Sequence, residues 1–141
     1  SDHAAFEAKA ALVAHLRAAG HEVLDVGTDG PASVDYPDFG AKGARAVADG
    51  RGERGVFLCG SGIGICIAAN KVRGIRAAQV YDESSAEMSR RHNDANVACL
   101  GARTMPVARL LALVDLFLAT PFEGGRHAGR VQKLADLDAA G

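Results

Sequence analysis

The sequence predicts a single α/β domain in which helices cover both faces of a parallel β-sheet, the doubly wound, Rossmann-like architecture. Short and nearly continuous apolar segments alternate with helical stretches, and two-residue alternation of apolar and polar residues is scarce. Strands buried on both faces have this pattern, because crossover helices cover both sides of a parallel sheet. A length of 141 residues without repeats or linkers is that of one domain, 1–141.

The helices are predicted from apolar residues spaced three or four apart and from residues that begin or end a helix. Ala4 to Ala19 carries such an apolar stripe, and Gly20 ends it. Pro37 suits the first turn of a second helix that runs to about Ala48. Further helices are predicted from the glycine loop to about residue 70 and over 83–91, 106–118 and about 129–140.

Four strands are predicted from apolar segments, at His21–Val26, Val56–Cys59, Ile75–Val80 and Val97–Leu100. The chain runs from Ser1 directly into helix-like sequence, and a fifth strand upstream would complete a five-stranded doubly wound sheet. We therefore expect the first strand of the fold to be missing from this sequence.

Composition and charge exclude several classes of function. The net charge is -1, from 16 basic and 17 acidic residues, so no basic excess is available to bind a nucleic-acid backbone. No apolar run approaches the roughly 20 residues that span a membrane. The three cysteines form neither a disulfide framework nor a CxxC zinc pattern, which favours a reducing cytoplasm and gives no indication of a metal or cofactor.

The segment Val56 to Ile65 reads as a strand, a glycine-dense turn and the start of a helix. Ligands of open parallel sheets bind at such carboxyl ends of strands. The backbone amides of Gly60, Gly62 and Gly64, with the positive end of the helix, can hold an anion or a developing oxyanion. A tight turn without any ligand explains the same glycines and stays open as the alternative.

Three known phosphate-binding motifs fit this loop poorly. A Walker loop needs Lys-Ser or Lys-Thr after its last glycine, and neither is present. The glycines read GxGxG rather than the dinucleotide fingerprint GxGxxG, although Asp82 lies eighteen residues after Gly64. A cysteine-phosphatase loop needs arginine six residues after Cys59, where Ile65 stands.

Cys59 ends its strand beside this electropositive loop. A nearby helix N-terminus favours a thiolate, which could remove a carbon-bound proton while the loop amides hold the enediolate oxygen. A buried structural role is the alternative for Cys59. It is the role that we expect for Cys66, inside an apolar helix, and for Cys99, inside a strand.

Three polar clusters lie elsewhere in the sequence. Asp2-His3 would follow the missing strand, at the same sheet edge as Cys59. His92-Asn93-Asp94 precedes the last predicted strand, where a solvated turn explains it as well as a site does. Arg126 and Arg130 lie four residues apart on one helical face, a fork suited to a phosphate or simply an exposed basic face.

Seven segments match one family in order and spacing: SDHAAF at 1–6, DYP at 35–37, CGSGIG at 59–64, IAANK at 67–71, GIRA at 74–77, HNDAN at 92–96 and GGRH at 124–127. On these segments the chain resembles the ribose-5-phosphate isomerase B family, which also contains the subunits of galactose-6-phosphate isomerase. The resemblance covers nearly the whole chain, so it is more specific than a lone motif.

The resemblance implies an aldose–ketose isomerase of the pentose phosphate pathway, without metal or cofactor, that interconverts ribose 5-phosphate and ribulose 5-phosphate through a cis-enediolate. It implies Cys59 as the base, since Ile65 replaces the glutamate that serves in a second branch of the family. His92, with Asp2, would open the furanose ring. The other implied contacts are Ser61 and the amides of Gly60, Gly62 and Gly64 for the enediolate, Asn93 and Tyr36 for the sugar, and His3, Arg126, Arg130 and Arg103 for the phosphate.

His92 precedes a predicted parallel strand, whereas Cys59 ends one, so within one subunit the two lie at opposite edges of the sheet. We therefore predict that His92 reaches the site of a partner subunit. The resemblance also implies homodimers, in some cases paired into homotetramers, and we expect the helix at about 129–140 to pack on the partner.

Other functions stay open from the sequence. The substrate could be a six-carbon sugar phosphate of the allose 6-phosphate type, or an unphosphorylated sugar. The chain could instead be a non-catalytic anion- or nucleotide-binding module on the same sheet. A thiol-redox enzyme is disfavoured, because Cys59 has no nearby cysteine in sequence that could resolve a disulfide.

Overall fold

The computed structural model describes residues 1–141, and its elements follow the predicted order. The helices are α1 (Phe6–Ala18), which follows a 3-10 turn at His3–Ala5, α2 (Tyr36–Ala48), α3 (Ile63–Ala69), α4 (Glu83–Arg91), α5 (Val107–Ala119) and α6 (Arg126–Ala140). The strands are β1 (Gly55–Cys59), β2 (Ala77–Gln79) and β3 (Val97–Gly101). No helix combines the length and the apolar character needed to cross a membrane.

The three strands form one parallel sheet in the order β1-β3-β2. Gly55 pairs with Val97 and Cys59 with Gly101, so β1 and β3 end at the same edge of the sheet. Every residue of the central strand β3 is buried. A strand enclosed in this way needs apolar or small residues at successive positions, which is the pattern that the sequence carries.

Alternate strand residues contribute to two separate apolar cores, one on each face of the sheet. Leu58 and Leu100 belong to a core that α1, α4 and α5 complete. Phe57, Cys59 and Cys99 belong to the opposite core, which α2 and α3 complete. The predicted α/β fold, a parallel sheet with helices on both faces, is therefore confirmed.

Of the four strands predicted within this chain, three form, and the five-stranded sheet is not confirmed. Residues 21–26 form no strand, although they were expected to, because they face the outer edge of β1 across an open groove of about 880 Å³ that both segments line. A strand requires a hydrogen-bonded neighbour, and no backbone hydrogen bond joins residues 21–26 to β1. Only one end of the groove is bridged, where Asp2 N donates to Leu58 O (3.3 Å) and Thr28 N donates to Ser1 O (3.0 Å).

The remaining elements agree with the predictions to within a few residues. Helix α4 matches at both ends, and a capping box fixes its start: Ser85 N donates to Asp82 Oδ1 (2.7 Å) while Asp82 N donates to Ser85 Oγ (3.1 Å). Helix α6 begins at Arg126, earlier than the predicted 129. Gly124 and Gly125, with φ of 68° and 54°, turn the chain directly into this helix.

Candidate active site

The predicted site residues separate into two groups at opposite edges of the sheet. The first, which we call the cysteine edge, follows the carboxyl ends of β1 and β3 and consists of Asp2, His3, Tyr36, Cys59, Ser61 and Arg103. The second, which we call the histidine edge, lies before β3 and at the start of α6 and consists of the predicted residues His92, Asn93, Arg126 and Arg130, together with His127.

Cys59 is the last residue of β1, and the backbone of the glycine loop folds over its sulfur. Gly62 N donates a hydrogen bond to Cys59 Sγ at 3.1 Å. A donor at this distance stabilises a thiolate more than a neutral thiol, because hydrogen bonds to charged groups are the stronger ones. Cys59 is only 5% exposed, so chemistry at its sulfur takes place out of bulk water.

The position of this donor depends on glycine. Gly62 has φ of 80°, in the left-handed region that side chains rarely adopt, and a Cβ there would lie 2.8 Å from the carbonyl carbon of Leu100. The following residue begins α3, whose first backbone amides face the same loop. Ser61 is exposed beside them, and its Oγ accepts a hydrogen bond from Ile63 N at 3.2 Å. Backbone amides, a hydroxyl and a sulfur thus converge on one concave turn.

Asp2 and His3 join the cysteine edge through the backbone bond between Asp2 N and Leu58 O. Asp2 is buried, and its Oδ1 has no hydrogen-bond partner. A buried carboxylate oxygen without a partner is costly, which indicates that it is available to a ligand. His3 is fixed by Val34, whose backbone N donates to His3 Nδ1 at 3.1 Å, so Nε2 is the ring nitrogen left for other contacts.

Tyr36 and Arg103 border the glycine loop. The Tyr36 ring lies so close to Gly64 that a Cβ there would come within 2.6 Å of it. Arg103 packs over Gly60, to which it is tied by a bond from Arg103 N to Gly60 O (3.0 Å). Both side chains are exposed at their ends, so they can contact a molecule bound at the loop.

The other two cysteines occupy the core on the α3 face. The hydrogen bond between the Cys66 and Cys99 thiols lowers the pKa of Cys66, while that bond and burial raise the pKa of Cys99 well above its ordinary value. Both stand away from the loop amides, with Cys99 fully buried within β3 and Cys66 within α3. The structure therefore singles out Cys59 as the cysteine in contact with the loop.

At the histidine edge, the imidazole of His92 stacks on that of His127, with ring centroids 4.2 Å apart and planes 15° from parallel. His92 caps the end of α4, and Asn93 follows it with an exposed side chain. Arg126 and Arg130 are exposed on the first turns of α6, beside the stacked rings. Burial, then the neighbouring His92 and Arg126, lowers the pKa of His127.

The stacked partner of His92 was not assigned a role from the sequence. His127 is buried, and the ligand atoms of His92, His127 and Glu123 lie within 4.8 Å of one another. This is the one grouping of three potential metal ligands in the chain. The only signal for His127 in the sequence was its place in an Arg-His pair after two glycines, and this pair does not indicate that the imidazole is buried.

Comparisons with known proteins show which family the chain belongs to. A family model described as Ribose/Galactose Isomerase matches residues 1–134. Ribose-5-phosphate isomerase B of Escherichia coli (strain K12) is 42% identical over 137 residues, 97% of this chain and 92% of that protein.

Solved structures extend the comparison to the fold. Clostridium thermocellum ribose-5-phosphate isomerase B superposes with a TM-score of 0.97 at 48% identity, covering 99% of this chain and 95% of that one. Ribose-5-phosphate isomerase B of Mycoplasma genitalium, a structure with bound ribulose-5-phosphate, has a TM-score of 0.94 at 38% identity over 100% of this chain and 94% of that one. The resemblance inferred from the seven segments is thereby confirmed: the chain belongs to the ribose/galactose isomerase family.

Proposed function

We propose that this chain is an aldose–ketose isomerase that interconverts ribose 5-phosphate and ribulose 5-phosphate without a metal or cofactor. The observation that carries the proposal is the Cys59 sulfur held at 3.1 Å from the Gly62 amide, at the end of a buried parallel strand. The relatives named above are isomerases of this substrate pair by name, and one of their structures contains the ketose phosphate. The reaction moves one proton from C2 to C1 and a second from O2 to O1, so a single positioned base suffices for the transfer between carbons.

In this mechanism the Cys59 thiolate removes the proton from C2 of the open-chain aldose and returns it to C1. The electron pair left on carbon becomes the double bond of a cis-enediolate, and the negative charge moves to oxygen. The proposed donors to that oxygen are the backbone amides of Gly60 and Gly64 and the Ser61 hydroxyl, while the amide of Gly62, also expected among them from the sequence, donates to the Cys59 sulfur. Each such donor typically contributes about 2.7–4 kcal/mol to transition-state stabilisation.

Ribose 5-phosphate is mostly a closed furanose, so the ring must open before this step. We assign ring opening to His92, with Asp2, as the groups that move a proton between the anomeric hydroxyl and the ring oxygen. The unpartnered Oδ1 of Asp2 supports this assignment, because an isolated buried carboxylate is a competent proton acceptor. Asn93 and Tyr36 would contact the sugar hydroxyls.

The phosphate is assigned to cations from both edges. Arg126 and Arg130 are exposed on successive turns at the start of α6, a fork that suits the oxygens of one phosphate group. At the cysteine edge, the candidate phosphate contacts are the Nε2 of His3, as a neutral donor, and the guanidinium of Arg103. Retention of these side chains favours a phosphorylated substrate over a free sugar.

A homodimer or homotetramer with a shared site accounts for the separation of the two edges. In our proposal, His92, Asn93 and the Arg126–Arg130 fork of one subunit complete the cysteine edge of the other. Two features support contact with a second copy. Ile63 and Ile67 of α3 are 52% and 57% exposed beside the glycine loop, and α6 buries no residue other than His127 within its own chain.

The decisive experiment measures conversion of ribose 5-phosphate to ribulose 5-phosphate by a coupled assay with EDTA present. Activity under these conditions is expected, whereas its absence at high protein concentration would favour a non-catalytic anion-binding module. A panel of ribose 5-phosphate, allose 6-phosphate and free ribose then defines the substrate. We expect kcat/KM to be highest for ribose 5-phosphate, and a higher value for allose 6-phosphate would replace it by a six-carbon substrate.

A further inference from the structure

The histidine edge contains a compact set of donor atoms that the isomerase reaction does not use as a set. His92 ends α4, while Glu123 and His127 flank the turn that begins α6. Glu123 N donates to Arg91 O at 3.1 Å, and this bond holds the turn against the end of α4. As a result, one ligand atom from each of His92, Glu123 and His127 lies within 4.8 Å of the other two.

The buried member of this set lacks a partner. His127 Nε2 is inaccessible to solvent and makes no hydrogen bond, and its nearest acidic neighbour, Glu123 Oε1, is 3.7 Å away. Leaving a buried polar atom unpaired destabilises the folded protein, so native structures rarely keep one without a reason. The ligand atoms of the three side chains are close enough that one ion bound among them would give this nitrogen a partner.

The chemistry of the donors identifies the class of ligand. Two imidazoles and one carboxylate form a donor set that binds Zn²⁺, with a fourth position left for water. The rings have to turn out of their stack, because a metal must lie in the plane of each imidazole that binds it. His92 and Glu123 can make this adjustment, since His92 is only partly buried with no hydrogen bond to its ring and Glu123 is exposed, whereas His127 is fixed.

We propose that His92, Glu123 and His127 form a Zn²⁺ site, and that an ion bound there inhibits the enzyme by occupying the imidazole of His92. The inhibitory part rests on the proposed function, in which His92 opens the sugar ring. The binding part does not, because it depends only on the three donors. In the metal-bound state, the His92 imidazole would be bound to the ion and could not open the sugar ring of the substrate.

Binding is tested with Co²⁺ as a spectroscopic probe on untagged, EDTA-stripped protein, followed by displacement with Zn²⁺. We expect visible absorption of tetrahedral Co²⁺ that saturates at one ion per chain. His127→Gln is expected to weaken binding by at least the 10–100-fold that loss of even an outer-shell partner causes. His15→Gln is the matched control, because His15 forms the other close histidine–carboxylate pair, with Asp115 at 2.8 Å.

Inhibition is tested by adding Zn²⁺ to the isomerase assay without EDTA. We expect activity to fall with the occupancy that the Co²⁺ titration measures, and EDTA to restore it. Glu123→Gln keeps the shape of the exposed side chain, so it is expected to retain basal activity and to need at least about tenfold more Zn²⁺ for the same inhibition.

The outcomes of these experiments separate the metal site, its inhibitory effect and the proposed function. Absence of binding, or binding that His127→Gln and Glu123→Gln leave unchanged while His15→Gln abolishes it, overturns the site. Site-specific binding without inhibition overturns the regulatory part alone. A chain without any isomerase activity overturns the proposed function, and the Co²⁺ titration still decides the metal site.

Discussion

The two edges of the sheet are built in opposite ways. At the cysteine edge, the main parts are backbone amides, a buried sulfur and a buried carboxylate, and glycine geometry holds them in place. At the histidine edge, the parts are side chains at the ends of helices, mostly exposed and cationic. One edge can perform proton transfer and the other can bind an anion and open a ring.

This difference indicates which functional groups each edge lacks. In the proposed mechanism the cysteine edge supplies the base and the oxyanion donors, but its one candidate cation is Arg103, with His3 Nε2 as a neutral donor. The histidine edge has an arginine fork but no base placed to remove a proton from a sugar carbon. Because β3 separates them within one chain, the simplest complete site combines two chains in a symmetric pair, in which each subunit gives one edge to each site.

The largest expected effect is loss of the base at the cysteine edge. We predict that Cys59→Ser lowers kcat by about 10²–10⁴-fold, the usual contribution of a positioned general base, because a serine hydroxyl is far less acidic than a thiol. KM should change little, since the phosphate and hydroxyl contacts remain. Steady-state kinetics with ribose 5-phosphate in EDTA measure both constants.

Cys66→Ser is the matched control for this substitution. Cys66 lies in the core on the same face of the sheet as Cys59 but its sulfur bonds to Ala77 O and not to the loop. We expect its kcat to stay within a few-fold of the wild type. Near-normal turnover in Cys59→Ser would remove the sulfur from the chemistry and would leave the cysteine edge as an anion site.

Mixing two inactive variants tests whether the edges meet across subunits. In a hybrid of Cys59→Ala and His92→Ala chains, one of the two sites contains both wild-type residues and the other contains neither. After subunit exchange at equal amounts, about half the dimers are hybrids, so about one quarter of the wild-type activity should return. No recovery despite exchange shown by mass spectrometry would place both residues in the same subunit's site.

Removal of the arginine fork should affect affinity more than turnover. We predict that Arg126→Ala and Arg130→Ala each raise KM for ribose 5-phosphate by about 10–100-fold, equivalent to the loss of one charge-assisted hydrogen bond. Arg17→Ala, an exposed arginine of α1, removes the same charge away from both edges. The fork variants should leave kcat/KM for free ribose unchanged, and an equal loss with that substrate would contradict a phosphate contact.

Local sequence signals predicted most of the fold. Asp82 and Ser85 mark the start of α4 because their capping bonds are made within one turn, and the helix is where the sequence placed it. The apolar run of β3 likewise predicted a strand buried on both faces. Residues 21–26, with apolar Val23, Leu24 and Val26, were also predicted as a strand, but pairing depends on a distant neighbour, and no local pattern reports whether that neighbour is in place.

The residues of the candidate site also divide into those that local sequence predicts and those whose placement depends on the packing of distant segments. The Cys59 loop was predictable because strand, glycines and helix start are consecutive in sequence. The separation of Cys59 from His92 also followed from the sequence, since entry and exit loops of parallel strands lie at opposite edges. The stack of His92 on His127 was not predictable, because it depends on how the Gly124–Gly125 turn sets α6 against the end of α4.

The smallest expected effect concerns the groove beside β1, where the fold is open. Five apolar residues added before Ser1 would run parallel to β1, which is also five residues long, because Ser1 and Asp2 already bridge the groove at its end. Each buried aliphatic side chain contributes about 1.5–3 kcal/mol, offset by about 1–2 kcal/mol for ordering each backbone unit. We therefore predict a net gain of about 1–3 kcal/mol in the free energy of unfolding, measured by urea denaturation.

The pH dependence of stability separates two causes of this gain. Burial, followed by the charge of Lys9, lowers the pKa of the Ser1 amine from 8.0 to about 6. Between these values the unfolded chain binds a proton that the folded chain does not, so stability rises with pH and about 2 kcal/mol is lost as pH falls from 8 to 6. Any extension converts the amine to an uncharged amide and should remove this slope. A Gly-Ser extension of equal length should also remove the slope. It should not raise the free energy of unfolding at pH 8, because only the apolar strand fills the groove. Equal stability of the two extended proteins would contradict strand addition.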